Sequence, residues 1–300
     1  LGERGVFALD EPYTRHGEGY HMKRTLECNS VGIFNPYCGE AVGMGQHGIT
    51  ISQGQPYLFG MVVKTQESVK FTVSLTDRTG KNVYCRATSV GGGDDWTRLE
   101  VELTPQAADS DADLRICWEN AGYVCVGAVS LLPKDHFHGM RRDVVKAMKD
   151  LGIKVLRWPG GNFAGEFNWM DGLLPADMRA PFQSYLGLET QPHTMGYDFS
   201  EMNTDDFIAL CREIGAEPFI TINPCWNTPD ENAAWVEYCN GDVSTPYGKL
   251  RANRGHQEPY NVQFWSLGNE FGYGHMEGDN TPAGYCQIAL ENGKKMLEAS

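Results

Sequence analysis

Residues 260–270 read YNVQFWSLGNE. An apolar run from Val262 to Leu267 ends at Gly268 and then at Asn269 and Glu270. A carboxylate at the exit of a buried strand is costly to desolvate, so its placement calls for a reason. Upstream, the same kind of strand recurs. MRRDVVKAMKDLG (140–152) puts Val144, Val145, Met148 and Leu151 on one helical face with Gly152 as a stop signal, and IKVLRW (153–158) follows as a buried strand. TDDFIALCREIG (204–215) repeats the helix: Asp205 and Asp206 sit near its start, Phe207, Ile208, Leu210, Cys211 and Ile214 supply its apolar side, and Gly215 ends it. AEPFITIN (216–223) is the next strand. ENAAWVEYCNG (231–241) predicts a third helix, with Trp235, Val236 and Tyr238 as core residues, and a loop leads from it into 260–270.

Helix and buried strand therefore alternate three times, as in βα units on a parallel sheet. None of these strands reads as half-exposed, so each is expected to be covered on both faces. Each ends in a polar or special residue: Arg157 with PGGN, then Asn223, then Asn269 and Glu270. In a (β/α)8 TIM barrel the C-terminal strand ends carry the chemistry. The expected class for 133–300 is α/β, part of such a barrel.

Residues 31–132 have another texture. Short β-type runs at Gly48–Ile51, Tyr57–Thr65, Val69–Thr76, Leu99–Leu103, Leu114–Trp118 and Cys125–Leu131 are separated by turn clusters such as DRTGKN (77–82) and VGGGDDW (90–96). That spacing predicts an all-β sandwich. PKDHFHG (133–139) reads as a linker and residues 1–30 as a separate N-terminal segment. GMGQHG (43–48) has glycines without the strand–turn–helix context of a nucleotide loop and reads as a turn. Trp96, Trp118, Tyr57 and Tyr84 read as sandwich core, with stacking on sugar rings as the alternative.

The 300 residues are 41% hydrophobic and 21% charged, with a formal net charge of -14. No Lys/Arg-rich block occurs, which argues against nucleic acid and anionic membrane partners. No apolar run approaches the roughly 20 residues of a spanning helix. The chain opens on Leu1 without a signal-peptide pattern, which reads as a processed chain or a fragment; the compartment stays open. The nine cysteines lack any C-x-x-C, so no zinc site is indicated, and most read as buried thiols. A Cys117–Cys125 bridge is open if the protein is secreted. The eight histidines, including the His136/His138 pair, show no metal-ligand spacing, and neither metal nor cofactor is expected.

Hydrolysis of a glycosidic bond typically uses two carboxylates flanking it. A partly desolvated strand-end Glu tends toward a raised pKa, which suits a proton donor, and Asn269 beside it could bond a sugar hydroxyl. Taken alone, an Asn-Glu pair after a strand fits an ion-paired loop glutamate as well. LRWPGGNFAGEFNWMDGLLP (156–175) adds Gly160 and Gly161, which allow close backbone approach to a ligand, Arg157, which could orient a carboxylate, and Asn162, which could bind a hydroxyl. PGGN by itself is equally a tight turn.

Together LRWPGGNF, NWMDGLLP, GAEPFITIN, AWVEYCNG and YGKLRANRGHQEPYNVQFWSLGNE, in that order, resemble glycoside hydrolase family 51, the α-L-arabinofuranosidases, over about 133–275. VGIFNPYCGEAVGMGQHGITISQGQPYLFGMVVKT (31–65) and CVGAVSLLPKDHFHG (125–139) resemble the carbohydrate-binding-like β-sandwich, of jelly-roll or galactose-binding type, inserted in plant-type and related bacterial members. The resemblance implies a clan A, configuration-retaining enzyme. Glu270 would be its general acid/base, Asn269 the ligand of the sugar 2-hydroxyl, Asn162 a lining residue, and Arg157 the group that holds the nucleophile's charge and position. His256, in RGHQEP, would lie near the site. The substrate would be an arabinose-bearing oligosaccharide or polysaccharide, and a homo-oligomer is left open.

The family's nucleophile, a Glu on a later strand, has no matching segment. Glu277, Glu291 and Glu298 fall in a loop and a helix-like stretch, so the nucleophile is expected beyond residue 300. Only barrel strands two to four are recognised, which leaves open edges and implies a longer polypeptide. The competing readings are a non-catalytic carbohydrate-binding protein or inactive fragment, and a retaining xylosidase or endoglucanase of the same clan.

Overall fold

The computed structural model describes residues 31–165, 167–179, 200–224, 227–270 and 281–300, with short strands at 6–9, 14–16, 21–23, 182–183 and 197–198. The chain divides into two compact units. The first comprises Leu1–Tyr13, Arg24–Arg142 and Pro175–Ala180, and the second Thr14–Lys23, Asp143–Leu174 and Pro181–Ser300.

The first unit is a β-sandwich. β1 (Val6–Leu9) is followed by β2 (Thr14–His16) and β3 (His21–Lys23), a hairpin that counts with the second unit. Then come β4 (Val31–Asn35), β5 (Val42–Ile51), β6 (Tyr57–Thr65), β7 (Val69–Thr76), β8 (Val83–Gly91), β9 (Thr97–Leu103), β10 (Asp109–Trp118) and β11 (Gly122–Pro133). One antiparallel sheet has the order β1-β4-β11-β6-β9 and the other β5-β10-β7-β8. Alternate residues point inward, Phe59, Met61 and Val63 from β6 against Phe71, Val73 and Leu75 from β7, and Trp118 packs edge-on to Phe71 at 5.8 Å.

Every β-type run expected in 31–132 lies in a strand. β8 was not foreseen, because its alternation of Val, Tyr and Ala with Arg, Thr and Ser carries too little apolar signal. GMGQHG is not a turn: it lies within β5. A Cβ on Gly43 would fall 2.0 Å from the Ile116 carbonyl oxygen, so glycine there permits the approach of β10. Tyr57 and Trp118 are buried as expected, whereas Trp96 and Tyr84 are half-buried. The Tyr84 hydroxyl donates to Asp109 at 2.7 Å, and that bond pushes the phenol up to about 12. Cys117 is a free thiol, so no bridge joins it to Cys125. The two cysteines lie on strands of opposite sheets, each between inward-facing neighbours, so their side chains point to opposite outer faces.

The second unit carries a parallel sheet. Its strands are β12 (Val155–Trp158), the short antiparallel pair β13 (Phe182–Gln183) and β14 (Tyr197–Asp198), β15 (Glu217–Thr221) and β16 (Phe264–Ser266). β12, β15 and β16 form the sheet in that order, all parallel. The helices are α1 (Arg142–Asp150), α2 (Thr204–Ile214), α3 (Pro229–Asn240), α4 (Pro246–Asn253) and α5 (Pro282–Glu298). Their ends are written locally. Asn203 and Asp206 close a capping box on α2, which Gly215 stops at φ 75°. Thr228 and Glu231 do the same for α3, with Pro229 in its first turn.

Three expectations change here. The stretch between α3 and 260–270 contains α4, so it is not simply a loop. Of the four residues assigned to the apolar face of α1, Val145 is buried but Val144 and Leu151 are exposed. The sheet strands are not all covered: Val155 on β12 is 50% exposed and Phe264 on β16 49%, while Ile220 on β15 is fully buried. Position in the sheet explains this, since β15 has a neighbour on each side and the other two are edges.

Candidate functional site

Parallel pairing brings the C-terminal ends of β12, β15 and β16 to one side of the sheet: Trp158 stands opposite Ile220, and Ile220 opposite Trp265. Arg157 ties the three ends together. Its Nε donates to Thr221 Oγ1 at 3.0 Å and its Nη2 to Asn269 Oδ1 at 2.8 Å. Arginine has no acceptor, so this contact assigns the Asn269 amide: oxygen toward Arg157, NH2 turned away from it. Arg157 and Asn269, both singled out from sequence, are therefore brought together. Asn162 opens a 3-10 turn, Asn162–Gly165, and its side chain lies outside the described residues, as does Glu277.

After β16 the chain turns sharply. Gly268 has φ 91° and Glu270, a non-glycine, has φ 47°. A side chain held in the left-handed region costs of order 1 kcal/mol and persists where the surroundings over-determine it, often at functional sites. Gly160 and Gly161 also take positive φ, 64° and 59°, in the turn after β12. Glu270 is exposed, so the desolvation expected of a strand-end acid is not supplied by the described residues. The strand ends four residues earlier, and the neighbouring edge of β16 is open. Leu267, Gly268, Asn269 and Glu270 line a cavity of about 300 Å³ whose other walls are Thr281, Pro282 and Tyr285.

The floor beneath these strand ends is aromatic. Trp158 stacks on Phe207 at 5.2 Å and meets Phe167 and Trp235 edge-on, and Trp169 lies parallel to Trp235. Trp235, Val236 and Tyr238 are core, as the sequence implied. Asn223 is fully buried; its Nδ2 donates to the Phe167 carbonyl, and its own carbonyl accepts from Asn232 at 2.9 Å.

Sequence reasoning missed two buried polar groups that hold the approach to β16. Arg251 is fully buried and donates to the carbonyl oxygens of Tyr238, Gly241, His256 and Gln257. Asp205 accepts from the hydroxyls of Tyr238 at 2.7 Å and Tyr260 at 2.8 Å and from Arg254 Nε at 3.0 Å. Burial, reinforced by the Asp205 carboxylate, pushes both phenols well above their ordinary value. His256 stacks edge-on to Tyr260 and gives its carbonyl to Arg251, a supporting position in the loop before β16. Neither polar group has a sequence signal beyond composition, because a buried Asp or Arg is recognised only by its partners.

The Alpha-L-arabinofuranosidase 1 domain family matches residues 147–281, the span that contains all three parallel strands and the cavity's Asn269 and Glu270. Alpha-L-arabinofuranosidase C of Emericella nidulans is 38% identical over 172 residues, covering 56% of this chain and 32% of that protein. The alpha-L-arabinofuranosidase of Thermotoga maritima, solved as an arabinose complex, is 41% identical with a TM-score of 0.50, over 54% of this chain and 32% of that one. The arabinose-bound MgGH51 a-L-arabinofuranosidase shares the fold across 100% of this chain and 49% of its own, with a TM-score of 0.73 at 17% identity. The chain thus spans about a third of the length of the curated arabinofuranosidases it matches, 32% for the one from Emericella nidulans.

Proposed function

We propose that this chain contributes the acid-bearing strand ends of a retaining α-L-arabinofuranosidase. The observation that carries the proposal is the Arg157–Asn269 hydrogen bond beside Glu270, within a span that matches the Alpha-L-arabinofuranosidase 1 domain. The parallel order β12-β15-β16 and its apolar open edges support reading the sheet as part of a (β/α)8 barrel, and the sandwich as an appended jelly-roll-like module. The sandwich at 31–132 and the barrel portion at 133–300 would be separate domains of the longer enzyme, with 1–30 as the remainder of an upstream part.

In this reading the arabinofuranosyl ring lies over the strand ends. Asn269 turns its NH2 to the oxygen of the sugar 2-hydroxyl, held in that sense by Arg157 at its other end. Glu270 donates its proton to the departing glycosidic oxygen while a second carboxylate attacks the anomeric carbon. Glu270 then takes a proton from the water that releases arabinose, which returns it to the acid form. Retention places the two carboxyl groups roughly 5–5.5 Å apart. Among the described residues lining the cavity Glu270 is the carboxylate, and the second is proposed to come from outside residues 1–300, in a polypeptide of the relatives' length. Arg157 positions Asn269 in this structure, and its proposed hold on the nucleophile would be made in the complete barrel. Asn162, in the turn after β12, completes the proposed sugar contacts. Arabinose-bearing oligosaccharides or polysaccharides are the proposed substrates.

The test is release of arabinose from an aryl α-L-arabinofuranoside by the full-length polypeptide that carries this chain. Glu270→Ala is expected to lower kcat/KM by at least about a thousandfold on an oligosaccharide, and by less on a substrate whose leaving group departs without a proton. Absence of hydrolysis by the wild type, or an unimpaired Glu270→Ala variant, refutes the proposal.

A further inference from the structure

We infer that Tyr285, with Pro282, forms the wall of this site that receives the leaving-group sugar, which makes Tyr285 a specificity-determining residue; the inference rests on Glu270 being the general acid. The inward stripe of α5 runs through half-buried Ile288 and buried Asn292 and Met296, with Asn292 anchored by Asn232 Nδ2 at 2.8 Å. Tyr285 continues that stripe one turn toward the helix start, three residues before Ile288 and seven before Asn292. It is 37% exposed, against 2% for Asn292. The stripe therefore runs past the buried part of the helix to an exposed tyrosine.

The level of that ring follows from two rises. Gly293 packs on Leu267 closely enough that a Cβ would fall 3.8 Å from Leu267 Cδ1. Eight residues of helix from Gly293 back to Tyr285 rise about 12 Å. Three residues from Leu267 on to Glu270 extend at most about 10 Å. α5 follows β16, so its first turn stands at the end of the sheet where β16 stops. Tyr285 and Glu270 both line one cavity of about 300 Å³ there.

The chemistry of the acid then decides which half of the substrate this wall touches. A proton donor must reach the glycosidic oxygen, so whatever is attached beyond that oxygen lies against its carboxyl group. In the proposed function the arabinosyl ring is held by Asn269, which Arg157 orients. What remains for the Pro282–Tyr285 wall is the departing sugar, whose C–H face suits a flat aromatic ring and a proline ring. Thr281 caps α5 through Gly284 N at 3.1 Å, which fixes the direction in which the first turn, and Tyr285 with it, leaves the loop.

The test uses the full-length polypeptide and two glycosides of the same arabinofuranosyl ring, an α-1,5-linked arabinobiose and the methyl α-L-arabinofuranoside. Tyr285→Ala is expected to lower the ratio of kcat/KM for the biose over the methyl glycoside by about tenfold, the worth of one aromatic contact. Tyr285→Phe is expected to preserve the ratio. Should Tyr285→Ala fail to fold, Tyr285→Leu keeps the apolar volume, removes the flat ring and carries the same expectation as Tyr285→Ala. A ratio unchanged in Tyr285→Ala or Tyr285→Leu overturns the inference, as does an equal loss on both glycosides. A loss in Tyr285→Phe as large as in Tyr285→Ala also overturns it, since the ring face would then not be the contact. A wild type that hydrolyses neither glycoside refutes the proposed activity itself, and this assignment with it; a wild type that hydrolyses both leaves the Tyr285 variants to decide this assignment alone.

Discussion

Replacing Arg157 by methionine removes both donors and keeps most of the side-chain volume. The Nε bond to Thr221 and the Nη2 bond to Asn269 join three strand ends, and the second sets the sense of the Asn269 amide. A hydrogen bond from a charged donor contributes about 1.5–3 kcal/mol when sheltered. Arg157 is exposed here, so screening reduces the Asn269 contact to about 1 kcal/mol. That is about a fivefold effect on binding at the 1.36 kcal/mol per decade that relates free energy to rate. The transition state adds to it. An Asn269 amide free to rotate presents its NH2 to the 2-hydroxyl for only part of the time, and complete loss of such a donor costs about 100- to 1000-fold. Arg157→Met is therefore expected to lower kcat/KM by about ten- to a hundredfold, mostly through kcat. Arg157→Lys reaches one acceptor at a time and falls between the two. The assay is steady-state hydrolysis of an aryl arabinofuranoside by the full-length polypeptide, run as a double-mutant cycle with Asn269→Ala. If Arg157 acts through Asn269, the double variant is little worse than Asn269→Ala, with a coupling of at least about 1 kcal/mol. Strict additivity, or an Arg157→Met variant within twofold of wild type, refutes the positioning role.

Two structural predictions accompany it. Arg251→Leu leaves four carbonyl oxygens, two of them in buried bonds and two in part-buried ones, without their common donor, and removal of such a buried charged group is expected to cost about 3–5 kcal/mol. Calorimetry should show the transition of the second unit falling by at least about 6 °C, and a shift under about 2 °C would show the carbonyls to be satisfied otherwise. In the sandwich, burial of Asp113 would raise its carboxyl, but hydrogen bonds from His47 and Arg115 outweigh burial and hold it below the ordinary value. A depressed carboxyl contributes stability that is complete above the ordinary carboxylate range and is lost as pH falls through the lowered value. The stability advantage of wild type over Asp113→Asn should therefore shrink as pH falls below about 4; chemical denaturation from about pH 5 downward checks it, and an advantage that grows on acidification across that range contradicts the assignment.

The legible parts of the fold are those written in neighbours. The β6 and β7 runs carry an inward residue at every second position, and their strands coincide with the expected ones. The capping boxes of α2 and α3 are spelled within four residues each. α4 escaped because PYGKLRAN has no apolar stripe; it is held by its Thr245 cap and by Arg251, whose partners lie outside the helix. GMGQHG was misread because glycine signals a turn and a close strand crossing alike, and only the position of Ile116 distinguishes them. At the candidate site, the Asn-Glu pair after an apolar run was visible as a pattern, while the exposure of Glu270 depends on the open edge beside β16.

Local periodicity, turn residues and caps thus determined from the sequence alone that a β-sandwich precedes a set of parallel βα units, and that Arg157, Asn269 and Glu270 stand at strand ends, because those signals act over a few bonds. The tertiary structure alone decided that Arg157 grips an amide 112 residues away, that Arg251 and Asp205 organise the approach to β16, and that Tyr285 lines the same cavity as Glu270. Those relations depend on which distant segments pack side by side. A donor and its acceptor on separate strands leave no periodic mark in either stretch of chain.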